Sequence, residues 1–81
     1  ERLEIIELVV AETAPVAGQK VGDVPLPDGS LIISILRQGS GFVPKADSVI
    51  EPGDEVLVVL DPGLEDQVTR HFAPNGAGPD G

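Results

Sequence analysis

Ten glycines and eight prolines are distributed along the 81 residues of this chain. They limit the chain to short structural elements separated by frequent turns. These residues follow no fixed period, which excludes a collagen-like triple helix and a solenoid of repeated units. Several of the segments between them are rich in β-branched residues, which favours strands. We therefore expect a turn-rich domain built mainly from short strands.

The absence of cysteine means that a hydrophobic core must hold the chain together without disulfides or a thiolate metal site. A chain of this length suffices for one domain, which buries only about 60% of its unfolded surface. A hydrophobic content of 41% argues against disorder for most of the chain. The sequence thus predicts a single domain with a modest core.

The charge balance is strongly acidic, because 14 aspartates and glutamates oppose five lysines and arginines for a formal net charge of −9. Such a surface repels phosphate backbones, and two phenylalanines without tyrosine or tryptophan offer little surface for stacking bases. The longest apolar runs, such as residues 56–60, are far shorter than the roughly 20 residues of a membrane span. We therefore expect neither nucleic-acid binding nor direct membrane insertion.

Four segments carry the pattern of β-strands. Residues 3–10 and 31–37 are rich in β-branched residues and lack glycine and proline. Residues 38–41, Gln-Gly-Ser-Gly, are typical of a tight hairpin that leads to a short strand at residues 42–44, whose proline favours a sheet edge. Residues 55–61 include five consecutive apolar positions, which predicts a central or doubly covered strand.

Two helical segments are also predicted. Val21 and Val24 share one face of a short helical turn that ends at Pro25. Further along, Asp61-Pro62 has the residue types of an N-cap and a first helical position, which predicts a helix through Phe72. The apolar stripe of that helix consists of Leu64, Val68 and Phe72.

The order of these elements predicts an α+β fold, a small two-layer sandwich. A mostly antiparallel sheet of about four strands forms one layer, and a short helical turn and one C-terminal helix pack on it. Residues 1–73 form this domain, and residues 74–81, in which alanine is the only apolar side chain besides proline, are predicted to be a disordered tail or a linker. Because three strands place apolar residues on both faces and one narrow helix cannot cover both, the sequence also predicts a dimer.

No constellation of residues for catalysis is visible in the sequence. His71 is the single histidine, and no serine or cysteine lies near it in the sequence as a nucleophile that it could activate. Calcium-loop and zinc-protease motifs do not occur. Glu4, Glu7 and Glu12 would collect a divalent cation only if an oligomer brought them together. The sequence therefore predicts a non-enzymatic domain without a metal site of its own.

The ordered set of motifs resembles the C-terminal domain of the TrkA and RCK family, the regulator of potassium conductance module called TrkA-C or RCK_C. The similarity covers about residues 3–72, and the ordered motifs at these spacings are more specific than any one of them. The motifs that carry it are Leu3-Glu4-Ile5-Ile6-Glu7, Gly18-Gln19-Lys20-Val21, Leu26-Pro27-Asp28-Gly29, Leu31-Ile32-Ile33-Ser34-Ile35-Leu36-Arg37, Val43-Pro44 and Pro52-Gly53-Asp54-Glu55-Val56-Leu57-Val58-Val59.

The resemblance implies a regulatory, dimerising and ligand-sensing domain that couples effector binding to a potassium or other cation channel, uptake system or antiporter. It also implies a cytoplasmic location beside that membrane partner, a Rossmann-type domain preceding this one in the parent protein, and a second copy as partner. Some family members bind cyclic di-AMP in the cleft between paired copies. The matching residues of this chain are Gly18, Lys20, Ile32, Arg37, Val43 and Pro44.

Lys20 and Arg37 are the expected contacts of an anionic effector. Two such cations in so acidic a chain are also compatible with solvated surface residues. A structural β-rich adaptor or dimerisation domain without a small-molecule ligand is therefore the alternative function. Among effectors, the resemblance implies a cyclic dinucleotide ahead of a divalent cation.

Overall fold

The computed structural model describes residues 2–75, in which loops and one helix cover a face of a four-stranded sheet. This architecture confirms the predicted α+β class, including the short helical turn. The elements are β1 (Glu4–Val9), a 3-10 helix (Val21–Asp23), β2 (Ser30–Arg37), β3 (Ser40–Phe42), β4 (Glu55–Leu60) and α1 (Glu65–Phe72).

Strand β4 occupies the middle of the sheet, as its apolar run predicts. The strand order is β1-β4-β2-β3, and every neighbouring pair is antiparallel. Val56, Val58 and Leu60 of β4 point into the core and are fully buried. They lie between strands β1 and β2 and belong to the same hydrophobic core as Val68 and Phe72 of the helix.

A β-bulge in β2 decides which of its residues enter the core. The pairing of β2 with β4 shifts register between Ile32 and Ser34, which makes Ile33 the extra residue. Ile32 and Ile35, three positions apart, are therefore both buried. In a strand that alternated strictly, one of these two side chains would face away from the core.

The hairpin between β2 and β3 is the tight turn that the sequence predicts. Gln38 and Gly39 have φ angles of 51° and 81°, and a two-residue type I′ turn requires positive φ at both positions. Strand β3 begins two residues earlier than expected and ends at Phe42. Pro44 thus lies beyond the strand, where its missing N–H costs no ladder hydrogen bond.

The turn before β4 ties the start of that strand to the end of β1. Gly53 follows Pro52 with a φ of 87°, and the Asp54 N–H donates to the Glu51 carbonyl at 3.1 Å, as in a type II turn. The Gly53 N–H donates to the Val10 carbonyl at 2.8 Å, and the Val10 N–H donates to the Asp54 carbonyl at 2.9 Å. These bonds fix the turn on the sheet.

Helix α1 begins later than the sequence predicts. Its N-cap residue is Leu64, which makes no side-chain cap. The prediction of Asp61 as N-cap is wrong, because Gly63 takes a φ of 95° that interrupts helical geometry before the first turn. The Asp61 N–H instead donates to the Gly29 carbonyl at 2.8 Å, which joins the end of β4 to the turn before β2.

The helix is anchored by its predicted apolar stripe. Val68 and Phe72 are fully buried in the core, and Leu64 packs against its edge. At the other end of the helix, the Val16 N–H donates to the His71 carbonyl at 3.1 Å, and the Ala11 N–H donates to the Phe72 carbonyl at 3.0 Å. The segment after β1 therefore satisfies carbonyls that a helix C-terminus leaves without intrahelical partners.

The predicted tail starts at residue 74, and its residues 76–81 lie outside the described residues. The Asn75 N–H donates to the carbonyl and the Oγ1 of Thr13, at 2.9 and 3.1 Å, so the chain is attached to the domain up to this point. Within residues 2–75, no helix has the length and apolar character needed to span a bilayer.

Candidate ligand-binding site

Residues 18–22 run beside residues 46–50 and form one corner of the domain. The Gly18 N–H donates to the Ile50 carbonyl at 2.7 Å, and the Ile50 N–H donates to the Gln19 carbonyl at 2.9 Å. Lys20 lies opposite Val49 in an isolated antiparallel bridge. The sequence left the structure of residues 46–50 open, and their backbone is ordered by this pairing. We call these two paired segments the binding corner.

Gly18 and Lys20 are both exposed on the binding corner. Gly18 has a φ of 84°, which a residue with a side chain adopts only at a cost. A β-carbon at this position would meet no atom within 4 Å among the described residues, so backbone geometry and not crowding requires the glycine. The resulting turn presents the Lys20 side chain to solvent.

Arg37 reaches the same corner from the end of β2, where it is surrounded by acceptors. Its Nε and Nη2 donate to Oδ1 and Oδ2 of Asp54, both at 2.8 Å, in a bidentate pair. Nη2 also donates to the Val49 carbonyl at 2.8 Å, and Nη1 lies 3.2 Å from Oε2 of Glu51. The guanidinium carbon is 5.2 Å from the centre of the Phe42 ring, within the range of a cation–π contact.

The ion pair between Arg37 and Asp54 is partly buried, because the Asp54 side chain is only 1% exposed. Burial by itself raises the pKa of Asp54. Hydrogen bonds from the Arg37 guanidinium and the Glu51 N–H, together with the positive charge of Arg37, outweigh burial and lower the pKa of Asp54 below its ordinary value. The hydrogen bond to Asp54 likewise raises the pKa of Arg37. Both groups are therefore charged at neutral pH.

All three guanidinium nitrogens of Arg37 are engaged within the domain. The residue connects the end of β2 to the loop that pairs with Lys20. The prediction that Arg37 contacts a ligand stays a prediction, and the geometry gives this residue a second task, which is to hold the binding corner in place.

The other predicted site residues differ in accessibility. Val43 is 78% exposed directly after β3, and Pro44 beside it is half-buried. Ile32 is buried in the core on the inner face of the sheet, so its side chain contacts other core residues. Its neighbour Leu31 carries an exposed apolar side chain.

The glutamates considered for a divalent cation do not converge. Glu4 and Glu7 point to opposite faces of β1, and Glu12 is exposed beyond the strand. Among residues 2–75, no group of three or more acidic or histidine side chains is close enough to hold a metal ion. Glu4 instead shares a hydrogen bond with Glu65 of α1, which raises the pKa of Glu4 and lowers that of Glu65.

The outer face of the sheet carries an apolar row that was not identified from the sequence. Ile5, Val59 and Leu31 lie side by side across β1, β4 and β2, because Val59 pairs with both of the others. Ile5 and Leu31 are each more than 60% exposed. A shallow depression of about 300 Å³ follows this row, and Leu3 also lines it. The sequence predicts that side chains alternate between the two faces of each strand. The row could be recognised only when the order of the strands in the sheet was known.

The sequence also did not identify Asp54, the buried partner of Arg37 beside the binding corner. Its position after Pro52-Gly53 indicates only a turn, and nothing in the local pattern connects it to an arginine 17 residues earlier. Its contribution becomes visible when β2 and β4 pair.

Comparison with known proteins gives a consistent result. A family model described as the TrkA-C domain matches residues 5–73. The chain is 29% identical over 72 residues to the Trk system potassium uptake protein TrkA homolog 1 of Methanosarcina mazei, which covers 89% of this chain and 16% of that protein. It is 31% identical over 71 residues to the Trk system potassium uptake protein TrkA of Mycobacterium tuberculosis, covering 88% of this chain and 32% of that protein. The chain thus spans about a third or less of the length of these relatives.

A solved structure similar to this fold is the RCK_C domain dimer of S. agalactiae BusR in complex with c-di-AMP. The TM-score is 0.72 at 27% sequence identity, and the alignment covers 84% of this chain and 93% of that chain.

Proposed function

Because the chain belongs to the TrkA-C domain family, we propose that it is a dimerising, ligand-sensing regulatory domain of a potassium-transport system. The observation that carries this proposal is the structural match to an RCK_C domain that was solved as a dimer with c-di-AMP. Nearly the whole of that RCK_C chain aligns with this one. The domain acts in the cytoplasm, follows a Rossmann-type domain in the parent protein, and transmits effector binding to a channel, uptake system or antiporter. It catalyses no reaction.

The second copy of the domain is the first partner in this proposal. The apolar row of Ile5, Val59 and Leu31 is exposed on a small domain whose other sheet face is already covered. Covering such a row with an identical one removes apolar surface from water in both copies. A stable interface of this kind buries more than about 1,200 Å² in total.

The effector in this proposal is a cyclic dinucleotide held between two copies by Gly18, Lys20, Ile32, Arg37, Val43 and Pro44. Lys20 is exposed and has no salt-bridge partner among residues 2–75, so its charge is available to a phosphate. Two-fold pairing doubles that charge, which suits a ligand with two phosphates. Val43 offers apolar contact and Arg37 fixes the corner, whereas Ile32, whose side chain is buried in the core, offers only its backbone.

One observation favours a second candidate function, that of a dimerisation domain without a small-molecule ligand. Asp54, Glu51 and the Val49 carbonyl already occupy the guanidinium of Arg37. A phosphate that bound this arginine would have to displace a carboxylate from it. Lys20 would then be the main cation offered to an anionic effector by each copy.

Isothermal titration calorimetry and thermal unfolding with c-di-AMP test the proposal. At 100 times its dissociation constant, an effector stabilises the folded domain by about 2.7 kcal/mol, so the unfolding temperature rises. We expect Lys20→Ala to weaken binding by about tenfold or more, because each of the two copies loses one charge-assisted hydrogen bond to the effector. Because Lys20 is exposed, its replacement changes the free energy of unfolding by no more than about 0.5 kcal/mol.

Arg70→Ala is the control, since Arg70 is also an exposed cation but lies on α1, away from the residues proposed to hold the effector. It should bind c-di-AMP like the unmodified chain. A dimer that gives neither heat nor a shift in unfolding temperature with c-di-AMP would leave only the second candidate. Equal weakening by the Lys20 and Arg70 variants would show that binding reflects general charge.

A further inference from the structure

An open groove of about 450 Å³ separates α1 from the loop that follows the 3-10 helix. Pro25 and Pro27 form one wall, and Gln67, Arg70 and His71 form the other. The three helix residues are spaced i, i+3 and i+4, so they project from one side of the helix. None of these five residues belongs to the binding corner.

Every polar side chain that lines the groove carries hydrogen-bond donors. Arg70 presents the five N–H groups of a permanent cation, and the His71 imidazole and Gln67 amide add further donors. Among residues 2–75, no aspartate or glutamate lines this groove. Within residues 2–75, Arg70 and His71 form no salt bridge with a carboxylate. Among the described residues, no acidic side chain therefore neutralises the charge of Arg70 in the groove.

The carboxylates nearest in sequence set the balance of charge around the groove. Asp23 and Asp28 flank the segment that contains the two prolines, and Asp66 lies one turn before Arg70 on the helix. They weaken the attraction for a free anion in bulk solvent. A polypeptide bound in the groove would contact Arg70 and His71 directly. It would gain hydrogen bonds from these two residues in addition to the long-range effect of the surrounding charges.

Both walls of the groove are held in place. The proline rings fix φ at Pro25 and Pro27. The helix wall is anchored by buried Val68 and Phe72, and the N–H groups of residues 11 and 16 bind the last helical carbonyls. This capping also offsets the negative end of the helix dipole, which would otherwise oppose an anion near His71. A ligand thus meets a preformed surface.

We propose that this groove binds an extended acidic segment of a polypeptide. Its open shape leaves a small ligand largely in water, whereas small-molecule sites bury about 70–90% of their ligand. An extended chain makes contacts along the whole groove, with carboxylates against Arg70 and His71 and side-chain stems against the proline rings. This proposal concerns residues apart from the binding corner, so it does not depend on the identity of the effector.

The test is an NMR titration of the ¹⁵N-labelled 81-residue chain with an acetylated and amidated hexaglutamate peptide. We expect saturable shifts of the backbone amides of Val24, Leu26, Gln67, Arg70 and His71. Combining Arg70→Gln with His71→Gln should weaken binding about tenfold, as the loss of charge-assisted hydrogen bonds predicts. Added salt should also weaken it, because exposed charges are screened.

Lys45→Gln removes one positive charge from an exposed loop elsewhere and should leave the affinity unchanged. A hexaserine peptide should shift none of these amides. Shifts spread equally over Lys20, Lys45 and Arg70, or equal affinity of the double variant and the unmodified chain, would overturn the proposal. Saturation of the same amides by inorganic phosphate at lower concentration than by hexaglutamate would also overturn it, in favour of a small-anion site. The site is mapped on the unmodified chain, so a folding defect in the double variant does not prevent the decision.

Discussion

At the scale of single residues, Arg37 shows how a surface cation becomes part of the framework. Its guanidinium binds a carboxylate that is 1% exposed, a backbone carbonyl and a second carboxylate. The bidentate geometry matches the planar guanidinium to both oxygens of Asp54, an arrangement that lysine cannot reproduce. The residue therefore joins β2 to the loop that pairs with Lys20.

Replacing Arg37 with alanine should destabilise the domain by about 3 kcal/mol, because it leaves the Asp54 carboxylate buried without its partner. Urea unfolding followed by far-ultraviolet circular dichroism measures this change. Glu51→Gln is the matched control, since the Glu51 side chain is 55% exposed and its ion pair contributes at most about 1 kcal/mol. Equal effects of the two substitutions would contradict the assignment of Asp54 as the important partner.

The lowered pKa of Asp54 also predicts a pH dependence of stability. Above the ordinary pKa of an aspartate, about 4, the group is ionised in both the folded and the unfolded chain, and its stabilising contribution is complete. Below this pH the unfolded chain takes up the proton first, so stability is lost as the pH falls through the lower folded-state pKa.

Asp54→Asn isolates this contribution from the other carboxylates. The difference in unfolding free energy between the unmodified chain and the variant should be at its full size at neutral pH and should shrink as the pH falls below about 4. Urea titrations across this range measure it. A difference that stays constant with pH would mean that ionisation of Asp54 does not stabilise the fold.

At the scale of elements, α1 depends on docking, since its eight residues are too few for an isolated helix. Phe72 is the largest of its buried anchors and is 1% exposed. Phe72→Ala should therefore cost about 3 kcal/mol or more, the usual loss for a buried phenylalanine. Thermal and urea unfolding measure the loss. Thr69→Ala, at an exposed position of the same helix, should change stability by less than about 0.5 kcal/mol.

At the scale of the whole molecule, the two faces of the sheet differ in what covers them. The inner face packs against α1 and the loops, whereas the outer face exposes Ile5 and Leu31 beside Val59. We expect a dimer by sedimentation equilibrium at tens of micromolar. Ile5→Lys combined with Leu31→Lys should give a monomer, because the buried interface would then contain unpaired charges.

Lysine is chosen in this variant because it reduces the net charge of −9 between two copies. General repulsion therefore cannot explain a loss of the dimer. Thr69→Lys adds one lysine on the exposed side of α1, where it should leave the dimer intact. A double variant that stays dimeric would exclude this face as the interface.

The sequence by itself determined the elements and most of the turns, because these depend on residues close together in the chain. Pro52 fixes its own φ angle, and Gly39 and Gly53 permit the positive φ angles that their turns require. The apolar run of β4 predicts a buried central strand wherever its neighbours lie. The spacing of Val68 and Phe72 likewise predicts the buried face of α1. The ordered motifs also identified the family.

Only the tertiary structure decided the features that depend on pairing between distant segments. Helix α1 begins after Leu64 and not after Asp61, because Gly63 adopts a φ of 95°, and the Asp61 N–H binds the Gly29 carbonyl, 32 positions earlier in the chain. The bulge at Ile33 sends both Ile32 and Ile35 into the core. The pair of Arg37 with Asp54 forms only after β2 and β4 align. A local sequence pattern specifies backbone angles and apolar faces. Strand register and long-range ion pairs depend instead on the lowest free energy of the whole packed chain, so they could not be predicted from the sequence.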